Sequence, residues 1–150
     1  MELVLWRHAE AENGTPDFAR ELTSKGADQA ARMAKWLNAK LPENAHIIVS
    51  PAQRAQQTAA ALDRPFLTDE NVGLSATVKG VLAVANWPNV IGVVVIIGHQ
   101  PTLGEVATLL VSGDPMALSF QTGELKWFSS TDEQGAITSV LRHDIYPEML

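Results

Sequence analysis

Two arginines and two histidines stand out in the 150-residue chain because each follows a short apolar run. Residues 3–6 lead into Arg7-His8-Ala9-Glu10, and residues 47–49 lead into Ser50-Pro51-Ala52-Gln53-Arg54. Residues 93–97 lead into Gly98-His99-Gln100-Pro101. A guanidinium is a planar fork of donors that stays charged at any working pH and pairs with anionic oxygens two at a time. An imidazole can serve as nucleophile, base or acid near neutral pH. Together these side chains suit a compact anion, above all a phosphoryl group. The chain has no cysteine, which excludes thiolate nucleophiles, thiolate zinc sites and disulfide frameworks.

For residues so distant in sequence to meet, the apolar runs must be strands of one sheet. Each run lacks a polar residue at every second position, as expected of strands covered on both faces. Longer Ala-rich stretches with helical spacing lie between them. Ala27, Ala30, Ala34, Leu37 and Leu41 recur at threes and fours, with Thr23 or Ser24 as cap and Pro42 beyond the end. Further helices are predicted over residues 51–62, 75–87 and 101–112, the first of these starting at Pro51 and the last at Pro101. Residues 66–68 read as a short strand. Residues 124–129 and 136–142 read as an antiparallel hairpin around the polar turn Thr131-Asp132-Glu133-Gln134-Gly135. The predicted fold is a single α/β domain over residues 1–150, with a mainly parallel central sheet flanked by helices and a C-terminal antiparallel hairpin. Parallel strands end on one edge, where ligand sites form. Helices starting at Pro51 and Pro101 are expected to aim free N–H groups at that edge.

Composition narrows the partners. Eleven Lys and Arg against seventeen Asp and Glu give a net charge of −6, which argues against nucleic acid and against an anionic membrane surface as partners. The longest apolar run, residues 90–98, is about half a membrane span. The first apolar run stops at once in Arg7-His8, too soon for a signal-peptide core. A cytoplasmic, soluble protein is the expectation.

Four segments together resemble the histidine phosphatase superfamily, in its phosphoglycerate-mutase-like branch. Arg7-His8-Ala9 stands for the Arg-His-Gly signature after the first strand, and Leu22-Thr23-Ser24-Lys25-Gly26 for a Leu-Thr-x-x-Gly segment. The run from Ser50 to Thr58 matches Ser-Pro-x-x-Arg-Ala-x-Gln-Thr, and Gly98-His99-Gln100-Pro101 holds the second histidine. Order and spacing agree over about residues 1–110. The length, without a large insertion, looks like the small SixA-type phosphohistidine phosphatases of that family. The resemblance also matches Arg20 to an arginine near the phosphate.

The residue chemistry gives the same roles. Arg7 and Arg54 are expected to hold the phosphoryl oxygens and, as fixed positive charges, to keep His8 neutral with a free lone pair. Attack by His8 on phosphorus would give a phosphohistidine intermediate that water hydrolyses. Protonated His99 would donate to a non-bridging oxygen. The catalytic set is thus His8, Arg7, Arg54 and His99, and the phosphate-binding set Arg7, Arg54 and His99 with Arg20 added by the resemblance, with no metal and no cofactor. An alkoxide leaving group would need a carboxylic acid, for which Asp69 or Glu70 is available after the third strand. An imidazole, whose conjugate acid has a pKa near ~6.5, departs with less help. The expected substrate is therefore phosphohistidine on a protein, which the resemblance implies could be a histidine-containing phosphotransfer domain. The alternatives are a phosphomonoesterase for small phosphate esters and a non-catalytic phosphate-binding module. A metal site of His8, Glu10 and His99 is a further rival, opposed by the adjacent arginines.

Other polar residues have plainer readings. Glu10, Glu12, Asp69 and Glu70 suit solvated loops, His46 and His143 structural positions, and Gln57 and Thr58 helix packing. Arg54 outside a site could pair with Asp63. The four tryptophans suit core or half-buried packing. Ala9 replaces the family's glycine, which costs little at negative φ and about 1 kcal/mol or more at positive φ.

Overall fold

The apolar runs form the centre of one six-stranded sheet. The structure, a computed structural model, describes residues 1–133 and 135–150. In chain order the elements are β1 (Glu2–Arg7), α1 (Ser24–Asn38), β2 (His46–Val49), α2 (Gln53–Ala60) and β3 (Leu67–Thr68). Then come α3 (Val78–Val84), β4 (Val93–Gly98), α4 (Thr102–Ser112), β5 (Leu125–Glu133) and β6 (Ala136–Ile145). The sheet order is β3-β2-β4-β1-β5-β6. The pairs β3–β2, β2–β4 and β4–β1 are parallel, while β1–β5 and β5–β6 are antiparallel. This is the predicted α/β architecture with its C-terminal hairpin.

Two cores cover the two faces, because alternate strand residues point oppositely. Val4 and Trp6 of β1 join Met33 and Leu37 of α1, Val95 and Ile97 of β4, and Trp127. Leu3 and Leu5 join Val81 of α3, Ile96 of β4, and Leu103 and Val106 of α4 on the other face. Trp36 and Trp87 are half-buried against these cores. No helix among the described residues is long and apolar enough to cross a membrane.

Local chemistry moves several predicted boundaries. Thr23 caps α1, accepting the Gly26 N–H. α2 starts at Gln53 rather than Pro51, since the Ser50 hydroxyl accepts the Ala52 N–H and holds Pro51-Ala52 in a bend. α3 spans less than residues 75–87: the Thr77 hydroxyl caps it at Gly80, and Asn86 ends the turn at φ 53°, a conformation asparagine tolerates. The hairpin strands run further than predicted. Thr131, Asp132 and Glu133 pair with Thr138, Ile137 and Ala136, so they belong to β5 and not to a turn. The Thr131 and Thr138 hydroxyls bond across the strands, a pairing that favours the longer ladder. Gln134 of the expected turn lies outside the described residues.

Candidate active site

Strand order explains why the polar groups meet. β2, β4 and β1 are consecutive in the sheet and parallel, with Val49 opposite Ile97 and Arg7 opposite Gly98. The ladder continues for one residue, through Ser50 N–H to Ile97 O (3.0 Å) and His8 N–H to Gly98 O (3.1 Å). Ser50, His8 and His99 therefore leave the sheet side by side, and the two imidazole centroids lie 5.1 Å apart. Arg54 comes from the first turn of α2 and brings its Nε to 3.3 Å from His8 Nε2.

The helix that carries Arg54 also fixes the loop after β1. Thr58, one turn further on, accepts the Ala9 N–H at 3.0 Å and donates to Arg54 O at 2.8 Å. Gln57 accepts the Leu22 N–H at 2.7 Å. These two residues thus do more than pack a helix, contrary to the expectation. Gly26 permits the remaining close approach, since a Cβ there would overlap the Glu10 carbonyl oxygen.

Arg7, His8, Arg20, Arg54 and His99 all line one cavity of about 360 Å³. Arg7 Nη1 donates to Phe120 O at 2.7 Å, and Arg20 Nε to Glu12 O at 2.7 Å. Sequence reasoning missed Asp17, which lines the same cavity. It accepts from Arg20 Nη1 at 2.9 Å and from Arg54 Nη2 at 3.2 Å, while its carbonyl accepts from Arg54 Nη1 at 2.8 Å. Its spacing of three from Arg20 was the available signal. Arg54 is thus paired with Asp17, not Asp63. Ser50, whose role the sequence left blank, bonds His99 Nε2 at 2.7 Å.

Protonation follows from burial. His8 Nδ1 lies 2.8 Å from the Ala9 carbonyl, which can only accept, so the neutral ring keeps its proton there. The lone pair then sits on Nε2, facing Arg54 Nε–H. Burial pushes His8 down to about 3, with His99, Arg54 and Arg7 adding repulsion and the Ala9 bond opposing. The arginines were expected to be the cause; desolvation is the larger one. Burial and then Arg54 push His99 down to about 4, so the protonated His99 expected from sequence is neutral at neutral pH in the free pocket. Arg7 is also lowered by burial and by Arg54, and the Arg20 hydrogen bond holds Asp17 below the usual carboxyl range. Among the described residues three buried side-chain polar atoms lack a partner, and two of them, Arg7 Nε and His99 Nδ1, belong to this site.

Other expectations change. The N-terminus of α4 is not free: Leu103, Gly104 and Glu105 N–H donate to His99 O, Gln100 Oε1 and Pro101 O. Asp69 accepts the Asn71 N–H, and Glu70 is exposed outside this cavity. Glu10 lines the cavity, but its carboxylate accepts from Thr23. Among the described residues no three His, Asp or Glu side chains form a metal-binding group. Ala9 is not among the positive-φ residues, so its methyl carries no backbone penalty. His143 packs edge-on against Trp36 and Trp127, as a structural residue.

Fold and site define an α/β protein with an arginine-rich pocket and paired histidines at the C-terminal edge of a parallel sheet. Residues 3–72 match the family described as the histidine phosphatase superfamily (branch 1). Escherichia coli phosphohistidine phosphatase SixA is 37% identical over 59 residues, 39% of this chain and 37% of that protein. The structure of the protein histidine phosphatase SixA complexed with tungstate superposes with a TM-score of 0.82 at 24% identity, covering 99% of each chain. The protein designated SixA from Nakamurella multipartitia gives 0.81 at 26% identity, over 97% of this chain and 95% of that one. The family match covers just under half of this chain, and the two solved structures share its fold over nearly all of it.

Proposed function

We propose that the protein is a phosphatase that hydrolyses protein phosphohistidine through a covalent intermediate on His8. The family match over residues 3–72 supports phosphatase chemistry in general. The observation that carries the mechanism is the tautomer of His8: a buried ring whose proton is held on Nδ1 by Ala9 O, leaving the lone pair on Nε2, where it accepts from Arg54 Nε until a phosphoryl group takes the guanidinium. Arg7, Arg20 and Arg54 supply positive charge for the phosphoryl oxygens, and that charge would repel a divalent metal. Arg7 Nε and His99 Nδ1 are buried at this site without a hydrogen-bond partner. As the oxyanion enters, its charge raises the proton affinity of His99, which then donates to a non-bridging oxygen.

In the first step a bond forms between His8 Nε2 and phosphorus while the substrate's P–N bond breaks, and the leaving nitrogen keeps the electron pair. A substrate imidazole protonated on its other nitrogen departs neutral, with no added acid. Water then attacks phosphorus, releases phosphate and restores the His8 lone pair. Ester substrates would need an acid, and neither candidate is placed for it: Asp69 caps a turn and Glu70 is exposed outside the cavity. That favours phosphohistidine over small esters.

The test is a substrate panel of phosphohistidine protein, phosphoramidate, p-nitrophenyl phosphate and sugar phosphates, with His8→Ala beside the parent. An acid-labile phosphate label on the parent, absent from the variant, is expected. Turnover by His8→Ala at the parent's rate overturns the mechanism, and preference for sugar phosphates overturns the substrate assignment.

A further inference from the structure

The pocket around His8 does not end at its own walls. Leu74 is shared with a second, wider cleft of about 630 Å³, lined also by Phe18, Pro51, Glu70, Asn71 and Thr77. The two cavities are joined covalently as well. Phe18 follows Asp17, the acceptor for Arg20 and Arg54, and Pro51 follows Ser50, the partner of His99. Phe18 is 60% exposed and Leu74 50% exposed, so two large apolar side chains stand open beside the reacting groups.

The chemistry of the lining selects what lies there. The phosphoryl group is held among the arginines of the inner pocket, so the rest of the donor must extend outward. The outer cleft is lined by no lysine or arginine, and Glu70 is the one ionisable side chain in its lining. The anionic remainder of a sugar bisphosphate or a nucleotide would find no counterion there. An apolar residue beside the phosphorylated one would bury Phe18 and Leu74, and a basic residue would face Glu70. The cleft is also much larger than an imidazole ring requires.

We propose that this cleft is the docking surface for the polypeptide that carries the phosphohistidine, with an apolar and a basic residue next to the phosphorylated one. Phe18 is its apolar anchor and Glu70 its charge selector. The inference rests on the phosphatase reading above and narrows its substrate to protein segments of that composition.

The probes are free phosphohistidine and two synthetic phosphohistidine peptides, one flanked by Leu and Lys and one by Ser and Glu. The parent is expected to turn over the Leu/Lys peptide with a KM about tenfold below that of the Ser/Glu peptide, the effect of one good interface contact. Phe18→Ser should remove most of that advantage, and Glu70→Lys should reverse the preference between the flanking charges. Free phosphohistidine should be turned over equally by parent and variants, which also reports that the variants are folded. Equal KM for the two peptides in the parent overturns the docking surface, as does an equal loss on free phosphohistidine in the variants. A parent without His8-dependent turnover of any of the three probes instead overturns the phosphatase reading, and the docking surface with it.

Discussion

Acidification should weaken the fold in a way that can be traced to one side chain. His8 is 6% exposed and His99 8% exposed, and both rings are held well below the ordinary imidazole value of 6.5, at about 3 and about 4. Between those values and 6.5 the unfolded chain binds more protons than the folded one, so stability rises with pH across that window. It is complete above about pH 6.5 and is lost as pH falls toward the folded values. Moving from about pH 7.5 to about pH 5.0 crosses about 1.5 units of the window, at 1.36 kcal/mol per unit, or about 2 kcal/mol for each ring. Together the two rings account for about 4 kcal/mol, a large part of the ~5–15 kcal/mol by which domains are stable. Urea denaturation of the parent and of His8→Asn at both pH values measures it, through a midpoint shift of about 1 M or more per 2 kcal/mol at small slopes. The parent should lose about 2 kcal/mol more than the variant, because the variant keeps only the His99 contribution. Glu124, raised by burial, acts in the opposite direction, but it is common to both proteins and leaves the difference unchanged. Asp17, lowered by Arg20, contributes its loss only below the usual carboxyl range. Equal losses in parent and variant would refute the argument that burial keeps His8 neutral.

Further outcomes follow from individual contacts. Arg54→Lys keeps a charge but loses the fork that reaches both His8 and Asp17, and kcat/KM should fall about 100-fold or more in steady-state assays. Thr58→Val preserves shape but strands the buried Ala9 N–H, costing about 1–3 kcal/mol and lowering the melting temperature by about 2–4 °C per kcal/mol. Gly26→Ala should cost about 3 kcal/mol in denaturant titrations, because its Cβ overlaps the Glu10 carbonyl and backbone must move. Asp17→Asn removes a carboxylate that competes with anions for Arg20 and Arg54, so the inhibition constant for inorganic phosphate should fall; a rise would mean that Asp17 chiefly positions the two arginines.

The amino-acid sequence by itself determined the two-faced strands, the helical stretches between them and the residues that carry the chemistry. Unbroken apolar runs such as VLW in β1 and VVVII in β4 require cover on both faces, and the polar groups after them can only lie where those strands end. Residue type also sets what Arg7, His8, Arg54 and His99 can do, since guanidinium charge and imidazole lone pairs are local properties. Element ends were less legible, because a single hydroxyl such as Ser50 or Thr77 decides where a helix starts. Only the tertiary structure decided that β2, β4 and β1 lie side by side, which sets the two imidazoles 5.1 Å apart. It alone brought Asp17 to Arg54 and Thr58 to Ala9, contacts between residues 37 and 49 positions apart. The depressed proton affinity of His8 likewise has burial as its main cause. Desolvation depends on every atom packed around a ring, and that sum exists only once the chain has closed over it.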